Sequence, residues 1–294
     1  MKSFKNQFLI TMPSFLWLVI FYALPVFIVF LLAFKPVDPY GGIGGGWSLA
    51  TLRNLSDPSY PVIIWRTVWL GVVSTAVSII IAIPIAYHLA KMSSRLRNIV
   101  LMLIIVPFWT NFLIRIFAWK VFLNPEGFFR RSLVYIGLIP EETMLLYNQW
   151  AVLAVMIYTY LPYAILPIYA AAEKFDFALL DAAKDLGAGS FTAFRKVFLP
   201  SISKSIGVAV MVVLIPALGA YLIPDLVGGP TSEMIGDKIA QSVFTERNLP
   251  HASALSAILM ITVFLPLLLL MFFRKICNNN GAESEKVPRI GVKK

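Results

Sequence analysis

The sequence predicts an all-α membrane protein with six transmembrane helices and both termini on the cytoplasmic side. Three observations predict it. Of 294 residues, 59% are hydrophobic and only 14% charged, against roughly 25% charged in a soluble domain. With a mean hydropathy of +0.80, too little polar surface remains to coat a water-soluble globule. Six charge-poor runs each reach the roughly 17 to 25 residues that a bilayer crossing requires. Lys and Arg cluster on alternate loops, sixteen on one set together with the two ends and six on the other, which places the richer set in the cytoplasm. The net charge of +10 therefore reads as membrane topology, and nucleic acid is not an expected partner.

The runs occupy residues 8–34, 67–90, 98–123, 150–172, 205–224 and 252–273. The first has 27 uncharged residues after Lys2 and Lys5; it is longer than the roughly 7 to 15 residues of a signal-peptide core and lacks an A-x-A cleavage site, so it is read as a retained helix. Gly41, Gly42, Ile43, Gly44, Gly45 and Gly46 form an outer loop without the GxxxxGK[ST] order that cradles nucleotide phosphates. Arg66 opens the second run, and Arg115 and Lys120 fall in the outer part of the third. These cations either snorkel to the headgroups or line a pathway. Residues 1–277 are read as one permease domain, and the polar residues 278–294 as a disordered cytoplasmic tail.

No Asp or Glu lies inside any run, and His88 sits at a cytoplasmic end. Transporters driven by ion gradients place carboxylates or histidines near the midplane, so energy from another source is expected. An embedded enzyme needs convergent catalytic groups, which these runs lack. The single cysteine, Cys277, permits no internal disulfide, and with two histidines it cannot complete a zinc site.

The interval 173–204 is much longer than a turn between spans. Asp176 is placed to cap a short helix whose Leu179, Leu180, Ala183 and Leu186 fall largely on one face, and Gly187 suits a left-handed stop. A second helix is expected from Ser190, with Phe191, Phe194, Val197 and Phe198 as an apolar stripe, ending at Leu199 and Pro200. Such a pair suits docking on a soluble partner, and equally suits lying flat in the headgroup layer.

Asp181, Ala182, Ala183, three residues, Gly187, nine residues, Val197, one residue, Leu199 and Pro200 resemble the EAA loop of ABC importer permeases, EAA-x3-G-x9-I-x-L-P. Asp181 for Glu and Val197 for Ile are the two departures. The resemblance implies the type I ABC importer permease fold, in which this loop inserts into a cleft of a separate ATPase dimer. ATP and Mg then belong to that partner, and this chain binds no cofactor.

A second resemblance spans nearly the whole chain. It runs from Val106 through Pro107, Phe108, Trp109, Thr110 and Asn111 to Arg115, and through Tyr221, Leu222, Ile223, Pro224, Asp225 to Gly229, with Ile235–Gly236 and approximately Tyr160 to Tyr163. These stretches are similar to PotB-type permease subunits of spermidine and putrescine importers. The likeness implies a bacterial inner membrane location, a second six-span permease of the PotC type, and a periplasmic or lipid-anchored polyamine-binding protein. A polycation needs carboxylates or aromatic faces, the latter contributing roughly 0.5 to 2 kcal/mol per contact. Asp225, at the expected outer end of the fifth run, is the best placed acid, and Tyr221 lies one helical turn before it. Trp109, Tyr160 and Tyr163 offer further aromatic surface, although such residues also serve interfacial belts. The 225–247 loop nets two negative charges. The alternative solute is a small organic anion, drawn to Arg115.

Overall fold

The computed structural model describes residues 11–38 and 41–264. The beginning of the first run, the end of the sixth, Cys277 and the 278–294 tail lie outside the described residues. Among the described residues the chain is helical, with one isolated bridge between Val37 and Ile43. It divides into two units, residues 1–53 with 248–294 and residues 54–247.

In the first unit, α1 (Thr11–Leu32) is a 22-residue apolar helix with none of its length buried, as suits a helix surrounded by lipid or another chain. A short α2 (Ala50–Asn54) follows, its Thr51 hydroxyl donating to Lys35 O at 2.9 Å. Near the other end of the sequence, α12 (Leu249–Phe264) is a shorter apolar helix.

The second unit is built on three long helices, α3 (Ser59–Lys91), α7 (Gln149–Ala172) and α9 (Ser190–Leu218). On α3, Ser74, Ser78, Ala82 and Ala86 recur every fourth residue and are buried. Within lipid there is no hydrophobic drive between helices, and small residues in this spacing let backbones approach closely enough for dispersion to hold them. Trp69 meets Trp150 at one end of the bundle, and Arg97 meets Glu173 at 3.3 Å beyond the other, so α3 and α7 run parallel. Tyr87 packs on Phe194 and Phe198, whereas Gly71 faces Leu218, so α9 runs opposite to both.

Four expectations are corrected. α3 begins at Ser59, upstream of residue 67, because Arg66 does not end it: its guanidinium donates to Glu233 O at 3.3 Å. The 98–123 run is two helices, α4 (Ser94–Trp109) and α5 (Phe112–Phe122), inclined by 96°. Pro107 lies in a tightened final turn of α4, Thr110 is extended, and Asn111 caps α5 by accepting from Leu113 N–H at 2.8 Å. The helix starting at Ser190 does not end at Leu199 and Pro200 but continues into α9. Pro200 lacks an N–H and its ring needs room at the preceding turn; a wide turn at Phe194–Phe198 supplies that room, with Leu199 N–H bonding five residues back to Phe194 O. The 205–224 run stops at Leu218, and a separate six-residue α10 (Leu222–Val227) follows. By length and composition four described helices span a bilayer, or five if α4 and α5 form one crossing.

Two shorter helices precede the long ones, α6 (Phe128–Tyr135) before α7 and α8 (Ala178–Asp185) before α9. The last element of this unit is α11 (Ile235–Phe244), which follows a single tight turn at Pro230–Ser232.

Candidate functional site

Two clusters stand at opposite ends of the α3, α7 and α9 bundle. The first is the 173–204 interval. Asp176 caps α8 by accepting from Ala178 N–H at 3.0 Å. The helix stops in a six-to-one and five-to-two pair of bonds, Ala188 N–H to Ala183 O at 3.0 Å and Gly187 N–H to Lys184 O at 2.8 Å, with Gly187 left-handed at φ +89°. Only glycine takes that conformation without penalty, which is why the motif needs Gly187.

The expected single apolar face of α8 is split. Leu180 is buried, whereas Leu179 is exposed and Leu186 is 90% exposed. Phe191 is likewise 74% exposed, although Phe194 and Val197 are partly covered and Phe198 is fully buried. One side of the loop anchors it. Tyr87, Phe175, Phe177, Phe194 and Phe198 form an edge-to-face and stacked cluster with centroids 5.0 to 6.4 Å apart. Lys91 adds its ammonium to the Tyr87 ring at 4.4 Å and the Phe177 ring at 5.1 Å. The other side leaves Leu179, Leu186 and Phe191 exposed. Asp181 is paired with Lys184 at 3.1 Å on the exposed surface.

The second cluster is an open cavity of about 480 Å³ lined by Tyr221, Asp225, Glu233, Asp237, Gln241 and Phe244 among others. An adjoining one of about 380 Å³ shares Asp225, Glu233 and Asp237 and adds Tyr147. Tyr221 and Asp225 therefore do come together, on α10 and its leading residue rather than on the end of a long span. Glu233 and Asp237, visible in the sequence only as loop charges, join them because the chain turns back after α10 and α11 folds against α3. Lys238 lies 3.8 Å from Glu233 and 3.9 Å from Glu246, so two of the four acids in this region share one cation. Asp225 and Asp237 have no ion pair among the described residues. Burial pushes the Asp237 carboxyl up to about 6, with the charges of Asp225 and Glu233 acting in the same direction and Lys238 opposing them.

The remaining aromatic candidates lie elsewhere. Trp109 is 78% exposed at the end of α4. Tyr163 packs edge-on against Phe108 at 5.1 Å. Tyr160 is only 6% exposed, and its hydroxyl donates to Pro216 O at 3.1 Å. Arg115 does not face the acidic cavity: its guanidinium sits 4.8 Å from the Phe108 ring and 5.7 Å from that of Phe112. Lys120 lies 5.9 Å from the Tyr147 ring.

Comparison with known proteins follows the same lines. Residues 78–279 match the family described as binding-protein-dependent transport system inner membrane component. The spermidine/putrescine transport system permease protein PotB of Haemophilus influenzae is 33% identical over 276 residues, covering 93% of this chain and 96% of that one. PotB of Escherichia coli is 32% identical over 258 residues, covering 88% and 93%. The inner membrane ABC transporter permease protein YdcU of Escherichia coli is 30% identical, covering 74% and 73%. A crystal structure of a bacterial ABC transporter that imports the acidic polysaccharide alginate superposes with a TM-score of 0.72 at 19% identity, over 95% of this chain and 98% of that one. A second alginate transporter structure, in complex with an alginate pentasaccharide-bound periplasmic protein, gives 0.69 over 91% and 93%. At that identity the likeness is one of fold.

Proposed function

The chain belongs to the binding-protein-dependent transport system inner membrane components, the permeases of ABC importers, and from that premise we propose that it forms half of the pathway by which an ATP-driven importer takes up polyamines of the spermidine and putrescine class. It crosses the bacterial inner membrane six times with both termini in the cytoplasm. The pathway is completed by a second six-span permease of the PotC type. An ATPase dimer docks on the 173–204 loop, and a periplasmic or lipid-anchored polyamine-binding protein delivers solute from outside. ATP and Mg are held by the ATPase chains, so this subunit carries out no chemistry.

The observation that carries the substrate reading is the acidic cavity. Asp225, Glu233 and Asp237 present carboxylates around one opening, and the Tyr221 ring borders them. A polyamine is a flexible chain of ammonium groups separated by methylenes, so several acids around one aromatic wall match its charges and its apolar links together. An anion would meet repulsion at this mouth. Arg115, which would attract it, is turned away between Phe108 and Phe112.

The mechanism follows from the continuity of α9. Its 29 residues measure about 43 Å at 1.5 Å per residue, reaching from the ATPase-binding loop to the acid-bearing segment. Val197, Leu199 and Pro200 lie within this helix, so closure of the ATPase moves the far end directly, as rigid-body transmission. Gly187 lets α8 turn into α9 without a long linker.

The test is uptake of labelled spermidine by cells lacking their own polyamine importer and expressing this chain with its second permease, ATPase and binding protein. Asp225→Asn is expected to lower uptake per assembled complex, and Gly187→Asp to lower it by roughly thirtyfold or more. Equal uptake per complex in Asp225→Asn removes the substrate reading. Import of an organic anion instead of spermidine would leave the permease class and change the solute.

A further inference from the structure

The break at Gly219–Ala220, where α9 gives way to the acid-bearing segment, is held from three directions. Ala220 N–H turns to Ala217 O at 3.3 Å, and the Pro216 carbonyl near the helix end, where backbone acceptors lose their helical partners, receives the Tyr160 hydroxyl from α7 at 3.1 Å. On the far side of the cavity, the first N–H of α11 has no cap from its own chain neighbour Met234. Ile235 N–H instead donates to Thr67 Oγ1 on α3 at 2.9 Å, while the Thr67 hydroxyl donates to Ile63 O at 2.8 Å. Thr67 is 1% exposed, so neither group has water as a substitute. Between them Gly236 lies flat on the break: a Cβ there would stand 2.7 Å from Ala220 O and 3.0 Å from Gly219 O, backbone atoms that cannot turn aside.

We propose that Thr67 and Tyr160 are positioning residues that clamp the break between α9 and α10, fixing the walls of the acidic cavity relative to the end of the long helix that the ATPase moves. Neither touches the polyamine. Tyr160, expected from sequence to offer an aromatic face to the substrate, acts on the break through its hydroxyl. Thr67 supplies from one span the cap that the first turn of α11 lacks, and Arg66 beside it holds the Glu233 carbonyl at 3.3 Å. The inference rests on the polyamine reading only for what the cavity binds; the clamp itself is independent of the solute.

Two readouts in the intact importer separate these layers. With Cys277→Ser as background, Ala240→Cys places a thiol on the cavity wall, and its reaction with a membrane-impermeant maleimide reports how firmly the walls are held. Thr67→Val and Tyr160→Phe, each nearly isosteric, are expected to speed that labelling by about fivefold or more and to raise the half-saturating spermidine concentration by about tenfold, with the maximal rate within about twofold. Thr67→Ser, which keeps the hydroxyl, is expected to restore both. Unchanged labelling in both variants overturns the clamp whatever the solute. Faster labelling with an unchanged half-saturation overturns its positioning role. Faster labelling in an importer that carries no polyamine keeps the clamp and removes the substrate reading instead. Tyr160→Phe removes a single oxygen, so it decides the matter if Thr67→Val does not assemble.

Discussion

The two ends of the α3, α7 and α9 bundle are joined by different chemistry. At the end that carries the 173–204 loop, five aromatic rings, Phe198 among them, pack together with Lys91 through contacts that are broad and weakly directional. At the cavity end, one buried and one partly buried hydrogen bond and one glycine-to-backbone approach hold the segment in place. Aromatic packing tolerates a small rotation while keeping most of its contact. A buried hydrogen bond is either made or lost, and losing it exposes a group with no other partner. The first end is suited to receiving thrust, and the second to having two discrete positions.

That contrast is breakable. The largest effect is expected at Gly187, where the left-handed backbone costs about 1–2 kcal/mol for any residue with a Cβ and a Cβ would project into open space beside the exposed Leu186. Gly187→Asp is expected to reduce ATP-driven uptake by roughly thirtyfold or more while membrane insertion stays normal. Gly187→Ala, with the strain but no charge, is expected to fall between that and the native chain. If the alanine and aspartate variants behave alike, backbone conformation rather than docking is what the motif glycine provides.

Gly236→Ala tests the other end. Its Cβ meets the Gly219–Ala220 backbone, an overpacking of the kind that costs about 1–3 kcal/mol, and the variant is expected to lower the thermal stability of the detergent-solubilised complex. The corresponding change at the aromatic end, Phe194→Leu, is expected to lower it less. A larger loss at Phe194 would reverse the assignment of the rigid and yielding ends.

Next in size, Asp225→Asn is expected to raise the half-saturating spermidine concentration by about tenfold, a loss of roughly 1.4 kcal/mol from one partly desolvated charge contact. The smallest effect is on pH. Asp237 ionises as pH rises through about 6, so the cavity gains a negative charge on the alkaline side and holds cations more tightly there. Between pH 7.5 and pH 5.5 half-saturation is expected to rise by no more than about fourfold, equivalent to about 0.8 kcal/mol for a partly exposed pair. Asp237→Asn is expected to flatten that dependence. A profile in the variant identical to the native one would place the titrating group elsewhere.

The end that carries the 173–204 loop was legible in the sequence because its determinants are local. Asp176 and Gly187 each act within a few residues, and the structure repeats them. What the sequence concealed was continuity. Pro200 reads as a helix stop, since nothing in composition signals the wide turn at 194–198 that absorbs it. Conversely, hydropathy runs unbroken past Thr110 and past Gly219, and averaging over a span hides both breaks, although Pro107, Asn111 and Pro216 mark them chemically. In the cavity, Asp225 and Tyr221 were found as a local pair. Glu233 and Asp237 appeared only as a charge count, because what unites them is a fold-back held by Thr67, 168 residues from its partner Ile235.

The wide turn at 194–198 also bears on inheritance. It amounts to one residue more than a regular helix would hold between Gly187 and the start of the bundle, and Pro200 follows it directly. Deleting one codon there would close the turn onto the proline ring and rotate the exposed Phe191 by about 100°, the angle of one residue in a helix of 3.6 per turn. Replacing Pro200 alone would leave a wide turn with nothing to relieve. A one-residue deletion in this turn is therefore expected to be tolerated only when Pro200 is replaced with it.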